Sequence, residues 1–252
     1  MSIKKLDLPE KPIEKKYVIA YVDLLGTQEL LSNKDTENVF EHIYYSFLTA
    51  TKLLPTLEEL NLDSMQFKVF SDNILVACPV ENTEGKEAVF KAYKKIRKFL
   101  YFFLPLFTRK GILFRGAITI NNLLINDLMV WGAGLSEAVY LEENIAVYPR
   151  IIISESLLKV FDEYNLTGVK YEEKFSCLKD SDDSVYFDFF DYNDFGAMDS
   201  YLPHAKAKII EKIEEEQTGK NRPKVLQKYY WFKNYLNEVE QIYNEVKSNY
   251  DI

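Results

Sequence analysis

The sequence predicts an α+β fold, with helices covering one face of a largely antiparallel sheet. Three observations predict it. Apolar β-type runs and helical patterns follow one another in the order strand, helix, hairpin, helix, hairpin, helix, strand. That order does not alternate strictly enough for a doubly wound sheet, and the chain has neither a glycine-rich dinucleotide fingerprint nor a P-loop. Finally, 252 residues at 47% hydrophobic and 15% aromatic content supply one large core, or a core with an appendage.

Residues 1–16 are charged and contain proline, the pattern of a loose arm. Tyr17–Leu25 is a short continuous apolar run and reads as a buried strand. A helical pattern follows from about Thr27, with a second start at Asp35 and an end at Pro55. Phe67–Phe70 and Ile74–Cys78 flank Ser71-Asp72-Asn73 and form a hairpin with acidic and amide residues at its turn. Glu84–Phe107 is a long amphipathic helix, Gly111–Ile120 a strand, and Leu123–Trp131 its hairpin partner. Gly132-Ala-Gly134 opens a helix to about Glu143, Ile151–Ile153 is a strand, and Glu155–Tyr164 a helix. Residues 165–200 read as short strands separated by acidic turns. From about Pro203 the chain is helical, with a break at Gly219–Pro223.

Composition excludes several classes of function. The net charge of −8 leaves no dominant basic footprint for a nucleic-acid binder, and the basic run Lys91–Lys98 has the spacing of a solvated helix face. Cys78 and Cys177 are the only cysteines, and no signal peptide or apolar stretch of spanning length occurs, so a cytoplasmic protein with reduced thiols and no membrane contact is expected. His42 and His204 lie far apart, which argues against a zinc site or a histidine-based triad.

The chemistry concentrates on two carboxylates. Asp23 and Asp72 each stand where an apolar run breaks, and a charge there needs a metal, a basic partner or solvent. The functional reading is a pair of Mg²⁺ or Mn²⁺ ions, with Asp23, Leu24 and Asp72 as the ligands; the alternative makes Asp23 a helix cap and Asp72 a turn residue. Leu24, Leu25, Gly26 and Thr27 leave the strand for a helix, a setting whose backbone N–H groups suit phosphate oxygens.

Taken together, these segments resemble a class III nucleotidyl cyclase catalytic domain, over roughly residues 17–165. The carriers are Asp23-Leu-Leu-Gly-Thr27, Lys68-Val-Phe-Ser-Asp72, Phe114-Arg-Gly116 and the helix from Gly132 to Glu142. The resemblance implies a ferredoxin-like cyclase core over 17–200 with a C-terminal helical extension over 201–252. It also implies two metal ions per site and a homodimer with sites at its interface. Departures from the family pattern are informative. Ser71 replaces a glycine, Ser136 stands where the family has an Asn, Tyr140 where it has an Arg, and Met129 where an adenine-reading Asp would be.

These departures, with Phe114-Arg-Gly-Ala-Ile-Thr-Ile120 and Ala146-Val-Tyr-Pro-Arg-Ile-Ile152, are similar to the bacterial pyrimidine cyclases of Pycsar anti-phage systems. That similarity implies conversion of UTP to 3′,5′-cyclic UMP and pyrophosphate, with the product sensed by a separate effector protein. Cyclic CMP from CTP, a purine cyclase and a non-catalytic nucleotide-binding or dimerisation module are the alternatives. Arg115 is the candidate triphosphate clamp, with a structural ion pair as its other reading. Lys68, Ser136 and Tyr140 are candidate substrate contacts, although a helix-face tyrosine is more often core. Arg150 reads as a pairing residue of the fold.

Overall fold

The computed structural model describes residues 13–26, 36–53, 64–81, 85–162, 171–172, 176–190, 192, 194–219 and 222–250. The chain runs β1 (Lys15–Leu24), α1 (Thr36–Leu53), β2 (Gln66–Phe70), β3 (Asn73–Pro79), α2 (Gly85–Thr108) and β4 (Phe114–Ile125). Then follow β5 (Val130–Trp131), α3 (Ala133–Asn144), β6 (Ile151–Ile153), α4 (Glu155–Asp162), β7 (Tyr171–Glu172), β8 (Cys177–Lys179) and β9 (Val185–Phe187). Two long helices close it, α5 (Phe195–Thr218) and α6 (Pro223–Ser248). The expected α+β class is what the chain forms.

The sheet order is β2-β3-β1-β4-β6-β9-β8-β7, with β5 paired to β4 off this path. Its first part, β1-α1-β2-β3-α2-β4, pairs antiparallel throughout in the order β2-β3-β1-β4, the ferredoxin-like arrangement. β6 joins β4 in parallel, the one departure from antiparallel pairing among the described strands.

Strand alternation divides the core. Val18, Ala20, Val22 and Leu24 of β1 face α2, whose Phe99, Phe103 and Phe107 are fully buried and stack or meet edge-on at 4.8–5.1 Å. Each such ring contributes about 2–3 kcal/mol of burial, which explains the aromatic richness as packing. Tyr17, Ile19 and Tyr21 point the opposite way and pack with Leu123 and with Ala138 of α3. Helices therefore cover both faces of the sheet, not the one face the sequence pattern predicts. The signal was in α3 itself: Gly134, Ala138 and Glu142 form its buried stripe, and the small Gly134 and Ala138 let it lie close against β1 and β4.

Two spans also differ from expectation. In place of a strand to Ile120 and a separate hairpin arm from Leu123, β4 is a single strand that pairs with β1 from Phe114 to Leu123. The chain reverses at Asn126, whose Oδ1 accepts from the N–H groups of Leu128 and Met129, so the Asx turn lies beyond the Asn121-Asn122 pair. Helix α5 starts at Phe195 and carries Pro203 inside it, because Asp194 caps the helix by accepting from the Ala197 N–H at 3.0 Å.

Helices α5 and α6 share the main core through Met198, Tyr201, Ile209, Phe232 and Tyr235. Asp188, fully buried after β9, fastens α6 to the segment that leads into α5. Its two oxygens accept from the hydroxyls of Tyr192 and Tyr235, each at 2.6 Å, and burial lifts its carboxyl to about 6. Arg150 is a fold residue, as its sequence context predicts. It is 2% exposed and its guanidinium donates to Asp180, Asp182 and the Ile145 carbonyl.

Candidate active site

The penultimate residue of β1 sets the site. By register Asp23 stands opposite Asn73 of β3 on one side and Arg115 of β4 on the other, on the sheet face that α3 covers. Gly116 makes this possible: a Cβ there would fall 2.2 Å from the Tyr21 carbonyl oxygen, so only glycine lets β4 lie this close to β1. Asp72 lies at the β2–β3 turn, and its carbonyl accepts the Leu24 N–H at 3.0 Å. That bond ties the end of β1 to the hairpin turn and brings the two aspartates together. Asn73 supports the turn, donating to Asp72 Oδ1 at 3.2 Å and accepting from the Tyr21 hydroxyl at 2.5 Å. The Tyr21 hydroxyl is held in its protonated form, its pKa pushed up to about 12 by burial and the surrounding carboxylates.

Arg115 does not project freely towards a ligand. Its Nε donates to Asp23 Oδ2 at 3.3 Å and stands 2.5 Å from Glu142 Oε1, the latter contact without the alignment of a hydrogen bond. The ion-pair reading of Arg115 is therefore present in the structure, and a clamping role requires it to exchange a carboxylate for a phosphate. Glu142 itself is 3% exposed at the end of the buried stripe of α3. Burial, with Asp23 nearby, pushes its carboxyl up to about 7 even though Arg115 draws it down. Burial also raises Asp23, assisted by repulsion from Asp72 and opposed by Arg115. Lys228 of α6 completes the group, its ammonium held below the ordinary range by burial and by the Arg115 charge, with Asp23 and Glu142 pulling the other way.

The site is thus a carboxylate-rich cluster, incompletely neutralised by one arginine and one half-buried lysine. Raised carboxyls are the expected signature of such an excess, and a divalent cation would relieve it. Asp23 and Asp72 fit that role by chemistry and by the backbone bond from Leu24 to Asp72 that draws them together. Among the described residues, no group of three or more His, Cys, Asp or Glu is already arranged around a metal position.

The other predicted residues distribute unevenly. The Leu24 and Leu25 N–H groups, expected to cradle phosphate, are both spent within the fold, on the Asp72 and Leu113 carbonyls. Just past the paired residues of β1, the hairpin turn and the residue before β4 take up those donors, so they are not open to phosphate. Gly26 follows at φ +84, a left-handed turn that favours glycine. Thr27 and the helix start after it lie outside the described residues. Lys68 is on β2, on the same sheet face as Leu75 by register, and approaches Asp127 at 3.8 Å. Ser136 and Tyr140 are exposed on α3, Tyr140 at 60%, so that tyrosine is not core. Met129, at the β4–β5 turn, is also exposed.

Sequence reasoning missed Glu142 and Lys228. Glu142 had a readable signal, an acid at i+4 from Ala138 on an apolar helix stripe. Lys228 had none, being one lysine in a helix more than a hundred residues downstream.

No protein-family model and no curated protein matches the sequence. Solved structures do resemble the fold. The adenylyl cyclase CyaB from P. aeruginosa aligns with a TM-score of 0.47 at 15% identity, over 61% of this chain and 83% of that one. A guanylyl cyclase aligns at 0.45 and 14%, over 70% and 92%. A class III adenylyl cyclase-like ATP-binding protein from Pseudomonas aeruginosa aligns at 0.45 and 10%, over 82% and 44%. These likenesses are loose, and substrate and chemistry have to be read from the site itself.

Proposed function

We propose that the chain is a nucleotidyl cyclase acting on a pyrimidine nucleoside triphosphate, UTP in preference to CTP, within an anti-phage signalling pair. The observation that supports this best is the meeting of Asp23 and Asp72 at one strand end, beside Arg115. In the proposed reaction the ribose 3′-oxygen bonds to the α-phosphorus, the α–β phosphoanhydride bond breaks, pyrophosphate leaves, and the hydroxyl proton passes to solvent. Mn²⁺ or Mg²⁺, when bound, would supply charge neutralisation and acidify that hydroxyl. Asp23 and Asp72, with the Leu24 carbonyl, would hold the ions. Arg115 would turn from Glu142 to the triphosphate, and Glu142 is able to release it by taking a proton near neutrality.

Met129, Ser136 and Tyr140 in place of the family's purine-reading and transition-state residues support the pyrimidine choice. A homodimer is part of the proposal. Leu128 at 89%, Trp131 at 65% and Tyr140 at 60% exposure leave apolar side chains open to solvent, which supports a second copy packing against them. One observation favours a second reading, a non-catalytic nucleotide-binding module: Arg115 already sits between two carboxylates. Purified protein incubated with Mn²⁺ and each of UTP, CTP, ATP and GTP separates the two. Pyrophosphate release supports the enzyme, and binding without release supports the module.

A further inference from the structure

A second cleft lies on the far side of the sheet from the carboxylates. It has a volume of about 830 Å³ and runs between the outward face of α2 and the start of α5. Asp23 shares the sheet face of Tyr21, which α3 covers, whereas α2 packs on the face of Val18, Ala20 and Val22. The sheet and the thickness of α2 therefore separate the two sites. From Lys91 to Leu106 the α2 wall extends about 23 Å at 1.5 Å per residue.

The lining is unlike the rest of this acidic chain. Lys91, Lys94, Lys95, Arg97, Lys98 and Arg109 all contribute to it. Asp194 is the one acidic side chain among the described lining residues, and its carboxylate is engaged in capping α5. Among the described residues, Lys94, Lys95, Lys98 and Arg109 have no carboxylate partner. Lys94 lies over the Phe90 ring, Lys95 donates to Ser64, and Arg109 donates to Ser200 and stacks over Tyr201. Five of the cations crowd the Lys91–Lys98 end, whereas Tyr101, Phe102 and Leu106 make the other end mainly apolar, with Arg109 as its one cation.

Charge and apolar surface are thus segregated along one cleft, and its volume falls in the range of small-molecule sites. We infer that this cleft binds a small molecule with a multiply phosphorylated head, held at Lys91–Lys98, and an aromatic or apolar body lying against Phe102 and Leu106. Several closely spaced ammonium groups match a polyphosphate, because each adds a charge-assisted hydrogen bond while relieving repulsion among the cations. A single-stranded nucleic acid fits less well. It needs exposed aromatic platforms interleaved with cations along its track, whereas Phe190 and Tyr201 are 3% and 4% exposed, and the net charge of −8 repels a long polyanion. Nucleotides and coenzyme A esters share the required chemistry. The inference stands independently of the proposed cyclase reaction.

The test is titration calorimetry on the full chain in EDTA, where the carboxylate site lacks metal, with ATP, coenzyme A, inorganic tripolyphosphate and a twelve-nucleotide oligothymidylate as probes. ATP or coenzyme A should bind at least about tenfold more tightly than tripolyphosphate, and the preferred one identifies the body. The double variant Lys94→Glu/Lys98→Glu should weaken that binding at least about tenfold. Phe102→Ala should weaken binding of the preferred probe and leave tripolyphosphate unchanged. These side chains are outside the core, so a thermal melt checks that folding is retained. The inference is overturned if neither ATP nor coenzyme A binds, or if the oligonucleotide binds more tightly than both. It is equally overturned if binding survives Lys94→Glu/Lys98→Glu but is lost in Asp23→Asn, which would place the ligand at the carboxylates.

Discussion

Replacing Glu142 by glutamine should stabilise the metal-free protein at pH 8 while leaving it nearly unchanged at pH 4.5. The Glu142 carboxyl is lifted from an ordinary value of 4.5 to about 7, chiefly by burial where α3 lies on β1 and β4. In the unfolded chain it titrates near 4.5. Between those two values the folded protein holds a proton that the unfolded chain has released, so stability falls as pH rises through the window and levels off above it. The full shift corresponds to about 3 kcal/mol at roughly 1.4 kcal/mol per unit, an upper bound on the stability lost across that window. Glutamine keeps the shape and carries no charge, so the variant should gain up to that amount over wild type at pH 8. Urea unfolding at pH 4.5 and pH 8 in EDTA measures it directly. A glutamine variant less stable than wild type at pH 8 would refute the reasoning, because Glu142 would then be a net stabilising partner of Arg115 with an ordinary carboxyl.

Three further outcomes follow from the same geometry. Arg115→Met leaves Asp23 and Glu142 facing each other without their cation, and should cost about 3 kcal/mol at pH 8 in urea melts, less at pH 5 where Glu142 takes up a proton. Ser71 sits at φ +58, a left-handed conformation that a side chain disfavours by about 1–2 kcal/mol, so Ser71→Gly should raise stability by up to about 1 kcal/mol in thermal denaturation; a lower melting temperature would contradict it. Tyr235→Phe removes one of the two tyrosine hydroxyls that satisfy Asp188, and should cost about 1–3 kcal/mol, seen as a lower urea midpoint with an unchanged slope.

Much of the fold was legible because its elements announce themselves. The apolar run of β1, the hairpin around Ser71-Asp72-Asn73 and the length of α2 all lie where periodicity and turn chemistry put them. The differences arose where two local signals competed. Asn121-Asn122 looked like a turn, but pairing with β1 held β4 straight and Asn126 made the reversal instead. Pro203 looked like a helix start, but the Asp194 cap set it earlier. In the site, strand-end acids were readable from sequence, since an acid at the end of an apolar run is conspicuous. The use of the Leu24 and Leu25 N–H groups was not, because it depends on how far β1 stays paired with its neighbours. Lys228 was not readable either, because it reaches the site only through the packing of α6.

The central claim is that Asp23 and Asp72 form the reaction centre of a pyrimidine cyclase. It is tested most directly by giving the purified chain equimolar UTP, CTP, ATP and GTP with Mn²⁺ and identifying products by mass spectrometry. Wild type should yield 3′,5′-cyclic UMP and pyrophosphate, and both Asp23→Asn and Asp72→Asn should fall at least about a hundredfold while remaining folded. A cyclic purine nucleotide as the main product would contradict the substrate assignment. Full activity in either aspartate variant, or no cyclic product from any of the four, would contradict the reaction centre.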